Sequence, residues 1–148
     1  MDQAVLTKLM MADDPEACEM PRQINWASLL GRVGALKPVC DKIAGRGFEL
    51  DDGVQDASYF ADIALHSWNG RMAGTVFGLR FSCFGDLFTT LEAGDGDRLS
   101  LAVISRLIEA AEELGFSYVP PEALHESYTG VNPVFTGQTW WHRFFEHL

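Results

Sequence analysis

The chain has 148 residues, of which 47% are hydrophobic and 22% are charged, a composition typical of one globular domain with a sizeable core. Eleven lysines and arginines stand against 21 aspartates and glutamates, and the net charge of -10 disfavours nucleic acids and anionic membranes as partners. A basic protein is the partner that this charge favours.

The N-terminal residues MDQAVLTKLMMADD carry an early acid and no apolar run long enough for a signal peptide or a membrane span, so we expect a cytoplasmic protein. Three cysteines, Cys18, Cys40 and Cys83, are odd in number and widely spaced, which predicts free thiols. Because no repeat or linker composition divides the chain, residues 1–148 are expected to form a single domain.

Short helices are predicted in the N-terminal third, where brief apolar runs alternate with proline and glycine. Lys37-Pro38 is expected to be a helix boundary, because the residue before a proline avoids the helical conformation. A further helix after it is expected to end at Gly45 or Gly47. The segment ELDDGVQD, residues 49–56, is predicted to be a polar, acidic turn.

The pattern of the middle, about residues 58–92, predicts a three-stranded antiparallel β-meander. The stretch SYFADIALH alternates between two faces, as a strand does. Asn69-Gly70 is a residue pair that suits a tight hairpin turn before a second strand over 72–82. A second turn at 84–86 leads to LFTTLE, residues 87–92, the third strand.

A long amphipathic helix is predicted over residues 97–114, capped by Asp95 or Asp97 and closed by Gly115. Its apolar stripe consists of Leu101, Ile104, Leu107, Ile108, Ala111 and Leu114. One such helix laid on a meander gives the α+β fold class. The next stretch, FSYVPPEAL, predicts an edge strand that ends at the two prolines, followed by one helical turn over 122–125.

The C-terminal segment TGQTWWHRFFEHL predicts a short aromatic helix that starts near Thr139. Its apolar stripe comprises Trp141, Phe144, Phe145 and Leu148, with Trp140 on the flank. A helix this short is unstable alone, so it must dock on something. The favoured interpretation is that it closes the domain's own core, and the alternative is that the tail, or its Trp140 edge, contacts another molecule.

Candidate catalytic residues are dispersed, and the least implausible are Asp62, His66, Cys83 and His125. Asp62 and His66 share a strand face, but four residues of strand separate them by about 13 Å, so they fail as a base and its orienting carboxylate. His66 is better explained as a half-buried histidine that meets another carboxylate across the sheet. Cys83 could act as a nucleophile only beside a histidine.

No metal or cofactor site is predicted. His142 and Glu146 are correctly spaced on a helix for two ligands, but two are too few, and a solvated ion pair explains them. Asp95 and Asp97 lack the later oxygen ligands of a calcium loop. The glycines of Gly45-Arg-Gly47 and of the 94–96 stretch lack the remaining elements of a phosphate-binding loop.

A small, acidic α+β chain without a catalytic motif resembles the immunity proteins of bacterial toxin-immunity pairs. The resemblance rests on size, on net charge and on acids expected to be exposed, which are Glu109, Glu112, Glu113, Glu122 and Glu126. It implies a non-catalytic protein that binds a basic toxin domain through these acids and an aromatic anchor, for which Trp140 is the candidate. The alternatives are an enzyme with a site assembled from the dispersed residues, and a structural or adaptor subunit that forms a homodimer through its tail.

Overall fold

A five-stranded sheet with helices on both faces organises the chain in a computed structural model, which describes residues 1–52, 60–69, 72–92 and 99–146. The strands lie in chain order, and all neighbours are antiparallel except the last two, which are parallel. This architecture confirms the α+β prediction. The elements are α1 (Gln3–Ala12), α2 (Trp26–Ala44), β1 (Glu49–Asp51), β2 (Phe60–Asn69), β3 (Met72–Ser82), β4 (Leu87–Glu92), α3 (Leu101–Glu113), β5 (Ser117–Tyr118), α4 (Pro121–Leu124), a 3-10 turn (Pro133–Phe135) and α5 (Trp140–Phe144).

The predicted meander is confirmed as β2, β3 and β4. Its apolar face belongs to one buried cluster with side chains of α2 and α3, and Phe116, just after α3, packs on Phe81 with ring centroids 4.7 Å apart. The strand residues of this face that are no more than 1% exposed are Ala61, Ile63, Phe77, Leu79, Phe81 and Phe88. The alternation of apolar side chains in β2 and β3 therefore reports which face is buried.

A β-bulge sets the register of the β2–β3 hairpin. Near the turn Asn69 lies opposite Met72, and the register shifts between Leu65 and His66. Beyond that shift Asp62 lies directly opposite Arg80. The pairing confirms the hairpin, while the predicted turn residue Gly70 lies outside the described residues.

Helix α2 is longer than predicted, because it runs through Pro38 to Ala44. The expected boundary at Lys37-Pro38 is wrong: the flanking residues Leu36 and Cys40 are both fully buried, and their packing outweighs the hydrogen bond that proline removes. The helix ends as predicted, with Gly45 as its C-cap at φ 65°.

Two further boundaries differ from the predictions. The segment expected to be an acidic turn begins with strand β1, because its backbone pairs with residues 62–64 of β2 whatever the polarity of its side chains. Helix α3 starts at Leu101, and its cap is Ser100, whose hydroxyl accepts a hydrogen bond from the Val103 amide at 3.2 Å, rather than Asp95 or Asp97. As the first helical residue, Leu101 is 82% exposed and does not belong to the buried stripe.

The aromatic tail forms the predicted short helix, α5, and closes the core. Thr139 caps it, and Trp140, Phe144 and Phe145 are 0%, 4% and 0% exposed. The predicted stripe is therefore wrong in one member, because Trp140 is buried and Trp141 is half-buried at the flank. The carbonyl oxygen of Phe144 accepts a hydrogen bond from the Ser82 hydroxyl at 2.8 Å. The tail therefore covers the second face of the sheet, and Leu148 lies outside the described residues.

A buried ion pair joins the N-terminal and C-terminal segments. Arg143 Nε donates to Asp13 Oδ1 at 2.6 Å, and neither side chain has exposed surface. The guanidinium also donates to three backbone carbonyls, those of Asp14, Ala17 and Cys18. Asp13 in turn accepts hydrogen bonds from the Tyr128 hydroxyl and from the amide of residue 131 at 2.8 Å. We call Asp13, Tyr128 and Arg143 the clasp.

Candidate functional site

A cleft of about 630 Å³ opens on the sheet face that α5 partly covers. It lies where β4 extends past the end of β5, because β5 pairs only with Leu87 and Phe88 before Pro120 and Pro121 turn the chain away. The lining residues are Asp62, Thr75, Arg80, Thr90, Leu91, Glu92, Tyr118, Pro121, Glu122, His125 and Trp141.

Arg80 lines this cleft, and its positive charge is paired with the Asp62 carboxylate. Its Nε and Nη2 atoms donate to the two carboxylate oxygens of Asp62, each at 2.9 Å, and Nη1 donates to the Phe145 carbonyl at 3.2 Å. The guanidinium also lies 3.9 Å from the ring centroid of Phe60. A bidentate pair of this kind is strong and rigid, so Arg80 organises the wall rather than offering a free positive charge.

Trp141 forms a second wall and is held in place by stacking. Its ring lies 5.8 Å from the His125 ring at an interplanar angle of 22°, and 5.7 Å from the Phe145 ring at 27°. Trp141 is half-buried, whereas its neighbour Trp140 is fully buried. Of the two tryptophans of the tail, Trp141 is therefore the one that lines the cleft.

The third side of the cleft is the free edge of β4, which has acidic residues at its rim. Thr90 and Tyr118 belong to this edge, but Thr90 lies opposite Leu79 and Tyr118 packs on Phe88, so their hydroxyls are on the other face of the sheet from Arg80. The Tyr118 hydroxyl lies 3.5 Å from the Thr90 hydroxyl. Burial raises the pKa of the Tyr118 phenol, and the nearby carboxylates of Glu122 and Glu92 raise it further. Both carboxylates are exposed at the rim, so this corner of the cleft has a negative potential.

The acids predicted to contact a partner are all exposed, in three different settings. Glu109, Glu112 and Glu113 lie on the solvent face of α3, and Glu122 lies at the rim of the cleft. Glu126 pairs with the amino group of Met1 at 3.0 Å. Trp140 has no exposed surface, and its indole N–H is buried without a hydrogen-bond partner among the described residues, which removes it from the candidate partner surface.

Ion pairs within the chain neutralise many of the basic side chains that the structure describes. Five of the basic side chains are paired with acids, and two of them are in the protein's interior or in the cleft wall. The pairs are Arg22 with Asp14 and Glu16, Arg32 with Asp86, Lys37 with Asp41, Arg80 with Asp62, and Arg143 with Asp13. For Glu109, Glu112, Glu113 and Glu122 the described residues provide no ion-pair partner. The excess negative charge is therefore concentrated on surface carboxylates.

The residues of the alternative catalytic hypothesis do not come together. Asp62 and His125 line the cleft, but Asp62 is paired with Arg80. His66 Nε2 lies 3.4 Å from Glu49 across the β1–β2 pair, the kind of cross-strand carboxylate contact expected for it. Cys83 lines a different, smaller cleft beside α2, and burial raises the pKa of its thiol to about 12. His142 Nε2 lies 3.3 Å from the Glu146 carboxylate, the contact expected for this pair.

Among the described residues, no three histidine, cysteine, aspartate or glutamate side chains are grouped so that they could hold a metal ion. The helices of residues 1–52, 60–69, 72–92 and 99–146 include none with both the length and the apolar character that crossing a membrane requires.

Sequence reasoning missed the cleft, whose members come from four strands and two helices. One local signal was present: Pro120-Pro121 must end β5 early, which leaves the end of β4 without that neighbour. Because β5 ends early, Tyr118 at the end of β5 and Glu92 at the end of β4 both border the cleft. Compared with protein-family models, curated proteins and solved structures, the chain shows no match.

Proposed function

We propose that this chain is a non-catalytic binding protein that neutralises a basic protein partner, in the manner of the immunity proteins it resembles. The observation that carries the proposal is the distribution of charge. Five of the described basic side chains pair with acids of the same chain, whereas the carboxylates of α3 and α4 face solvent and outnumber Arg106, the exposed cation of α3. Such a surface attracts a basic protein and repels an acidic one.

The exposed glutamates at the end of α3 support the same proposal. Glu112 and Glu113 occupy the last turn of the helix, where the helix dipole favours cations, so each costs a few tenths of a kcal/mol of stability. A binding role explains why acids stand at positions where they disfavour folding. Complementary charge raises association rates and specificity, which suits a protein that must capture a harmful partner quickly.

The experiment starts with affinity purification on the tagged native chain, followed by association kinetics with the partner that it retains. Glu112→Lys/Glu113→Lys should slow association about tenfold at low salt, because long-range attraction scales with the local field. The matched control is Glu19→Lys/Asp52→Lys, which changes the net charge equally at exposed acids elsewhere. A partner that is acidic, or an association rate that neither variant alters, would contradict the proposal.

A further inference from the structure

The outer edge of β4 has no neighbouring strand beyond Phe88 in the part of the chain that the structure describes. The last backbone hydrogen bond toward β5 is the one that the Val119 N–H donates to the Phe88 carbonyl, at 2.9 Å. Successive residues of a strand direct their backbone groups to alternate edges, so Thr90 and Glu92 direct theirs to the same edge as Phe88. None of the described residues forms a backbone hydrogen bond with Thr90 or Glu92 at that edge.

Two prolines prevent the chain from completing this edge itself. A regular continuation of β5 would place residue 121 opposite Leu91, where its N–H would donate to the Thr90 carbonyl. That residue is Pro121, which has no N–H and begins α4 instead. The Thr90 carbonyl and the Glu92 N–H therefore remain an acceptor and a donor for a strand from another source.

These backbone groups border the cleft of about 630 Å³. Thr90 lines the cleft although its side chain lies on the other face of the sheet from Arg80, so its backbone is the part that borders it. Thr90 is 6% exposed, and a backbone group that is neither paired nor well solvated costs free energy. A strand that pairs with Thr90 and Glu92 would remove this cost, and the cleft is within the range of about 300–1,000 Å³ that ligand sites occupy.

The two faces of this edge differ in chemistry, which specifies the strand that fits. Leu91 lies on the same face as Arg80 and the half-buried ring of Trp141. Glu92, opposite Phe77 in the register, directs its exposed carboxylate to the other face. Successive side chains of an added strand lie on opposite faces, so a residue that contacts Leu91 is followed by one beside Glu92. An apolar residue followed by lysine or arginine matches both neighbours.

The charge of this edge selects the source of the strand. A second copy of this chain would bring together two Glu92 carboxylates and two molecules of net charge -10. Like charges on adjacent strands are destabilising, and charged residues commonly protect a strand edge from self-association. The exposed Glu122 carboxylate adds to the negative charge beside the cleft. A basic partner is therefore the occupant that this edge favours.

We infer that an extended segment of the basic partner adds to the free edge of β4 as a parallel strand. An apolar residue of the segment donates its N–H to the Thr90 carbonyl and accepts a hydrogen bond from the Glu92 N–H. Its side chain packs on Leu91, and the lysine or arginine that follows lies beside the Glu92 carboxylate. In this mode of recognition the main-chain hydrogen bonds supply affinity and the alternate side chains supply specificity. The inference rests on the proposed function, because the basic partner supplies the segment.

The test is an NMR titration of the full chain with the peptide acetyl-Lys-Val-Lys-Val-Lys-amide. The matched control is the same peptide with N-methylvaline at both valines, which keeps the charge and the apolar side chains but has no N–H to donate there. We expect saturable shifts of the Leu91 and Glu92 amides with the first peptide, and none with the second. Equal shifts with both peptides would show attraction by charge alone. That result, or no shift at these amides, would overturn the inference.

Two variants of Glu92 isolate the backbone donor. Glu92→Pro and Glu92→Thr both remove the carboxylate, but only proline removes the N–H. Because that N–H points away from β3, proline takes no hydrogen bond from the sheet, and both variants should keep a cooperative melting transition. Glu92→Pro should bind the unmethylated peptide about fivefold more weakly than Glu92→Thr, and equal affinities would refute the hydrogen bond. If Glu92→Pro does not fold, the N-methylated peptide decides, because it tests the same pairing on the native chain.

Sedimentation of the native chain alone tests the other occupant. We expect a monomer, because the acidic edges repel each other. A dimer that Glu92→Pro dissociates and Glu92→Thr does not would assign the edge to a second copy of this chain and overturn the inference.

The two proposals fail separately. If the native chain captures a basic partner through α3 but the valine peptide leaves the Leu91 and Glu92 amides unshifted, the proposed function stands and the added strand does not. If the peptide pairs with the edge and the retained partner is acidic, the proposed function falls, and with it the assignment of the segment to a basic partner.

Discussion

Neutralising Asp13 should destabilise this protein strongly. Asp13→Asn keeps the size of the side chain but removes the negative charge opposite the Arg143 guanidinium. That cation is then left with backbone carbonyls and aromatic rings, in a site where neither side chain is exposed. Removing one partner of a buried pair typically costs about 3–5 kcal/mol. For a chain of this length, that loss lowers the melting temperature by roughly 10 °C.

Urea unfolding, followed by circular dichroism, measures the free energy of unfolding of both chains. The matched control is Asp86→Asn, which breaks the Arg32–Asp86 pair, whose side chains are 31% and 50% exposed. That change should cost no more than about 1 kcal/mol, because solvent screens the pair. If Asp13→Asn and Asp86→Asn destabilise the protein equally, burial does not strengthen the Asp13–Arg143 pair, and the reasoning is refuted.

Lowering the pH should remove the stability that Asp13 contributes relative to asparagine at this position. Burial by itself raises the pKa of Asp13, but hydrogen bonds from Tyr128, Arg143 and Val131 outweigh it and hold that pKa below the ordinary value of 3.8. The ionised carboxylate therefore contributes stability that is fully present above the unfolded-state pKa and is lost as the pH falls through the folded-state pKa. The stability gap between the native chain and Asp13→Asn should stay constant at neutral pH and close below pH 3.8. A gap that widens in acid would refute this linkage.

Three further outcomes follow from local geometry. Gly85→Ala should cost about 1–3 kcal/mol in urea unfolding, because residue 85 has φ 59° and an added Cβ would lie 2.6 Å from the Ala12 Cβ; an unchanged midpoint would contradict this. Cys40 and Cys83, whose thiol pKa values burial raises to about 12, should react with iodoacetamide only after unfolding, as judged by mass spectrometry; labelling of the folded chain would show them to be accessible. Ser100→Ala should lower the free energy of unfolding by about 1 kcal/mol through loss of the helix cap, an effect absent if the helix starts elsewhere.

Local patterns predicted the parts of the fold that depend on neighbouring residues. The alternation in β2 and β3 and the periodicity of α3 each reflect one buried face, so they could be interpreted from short windows. The end of α2 was equally visible, because Gly45 adopts the left-handed conformation that glycine favours at a helix end.

The parts that escaped prediction depend on distant residues. Asp62 faces Arg80 only because the bulge near Leu65 shifts the register, and a hairpin extended regularly from Asn69 would pair Asp62 with a residue of the other face. The clasp joins positions 13 and 143, and no window contains both. The cleft is lined by residues that are far apart in the chain. The sequence therefore identified some of its acids as candidates but could not predict that they line one cleft.

The clasp also constrains the order in which this protein matures. Because Asp13 emerges from the ribosome long before Arg143, the carboxylate and the carbonyls of residues 14, 17 and 18 wait without their cation until nearly the whole domain has been synthesised. Closing so long a loop is slow relative to forming local hairpins and helices. The clasp therefore closes only after Arg143 has been synthesised, and a chain cut short before Arg143 leaves open the part of the core that α5 covers, which cellular proteases can recognise.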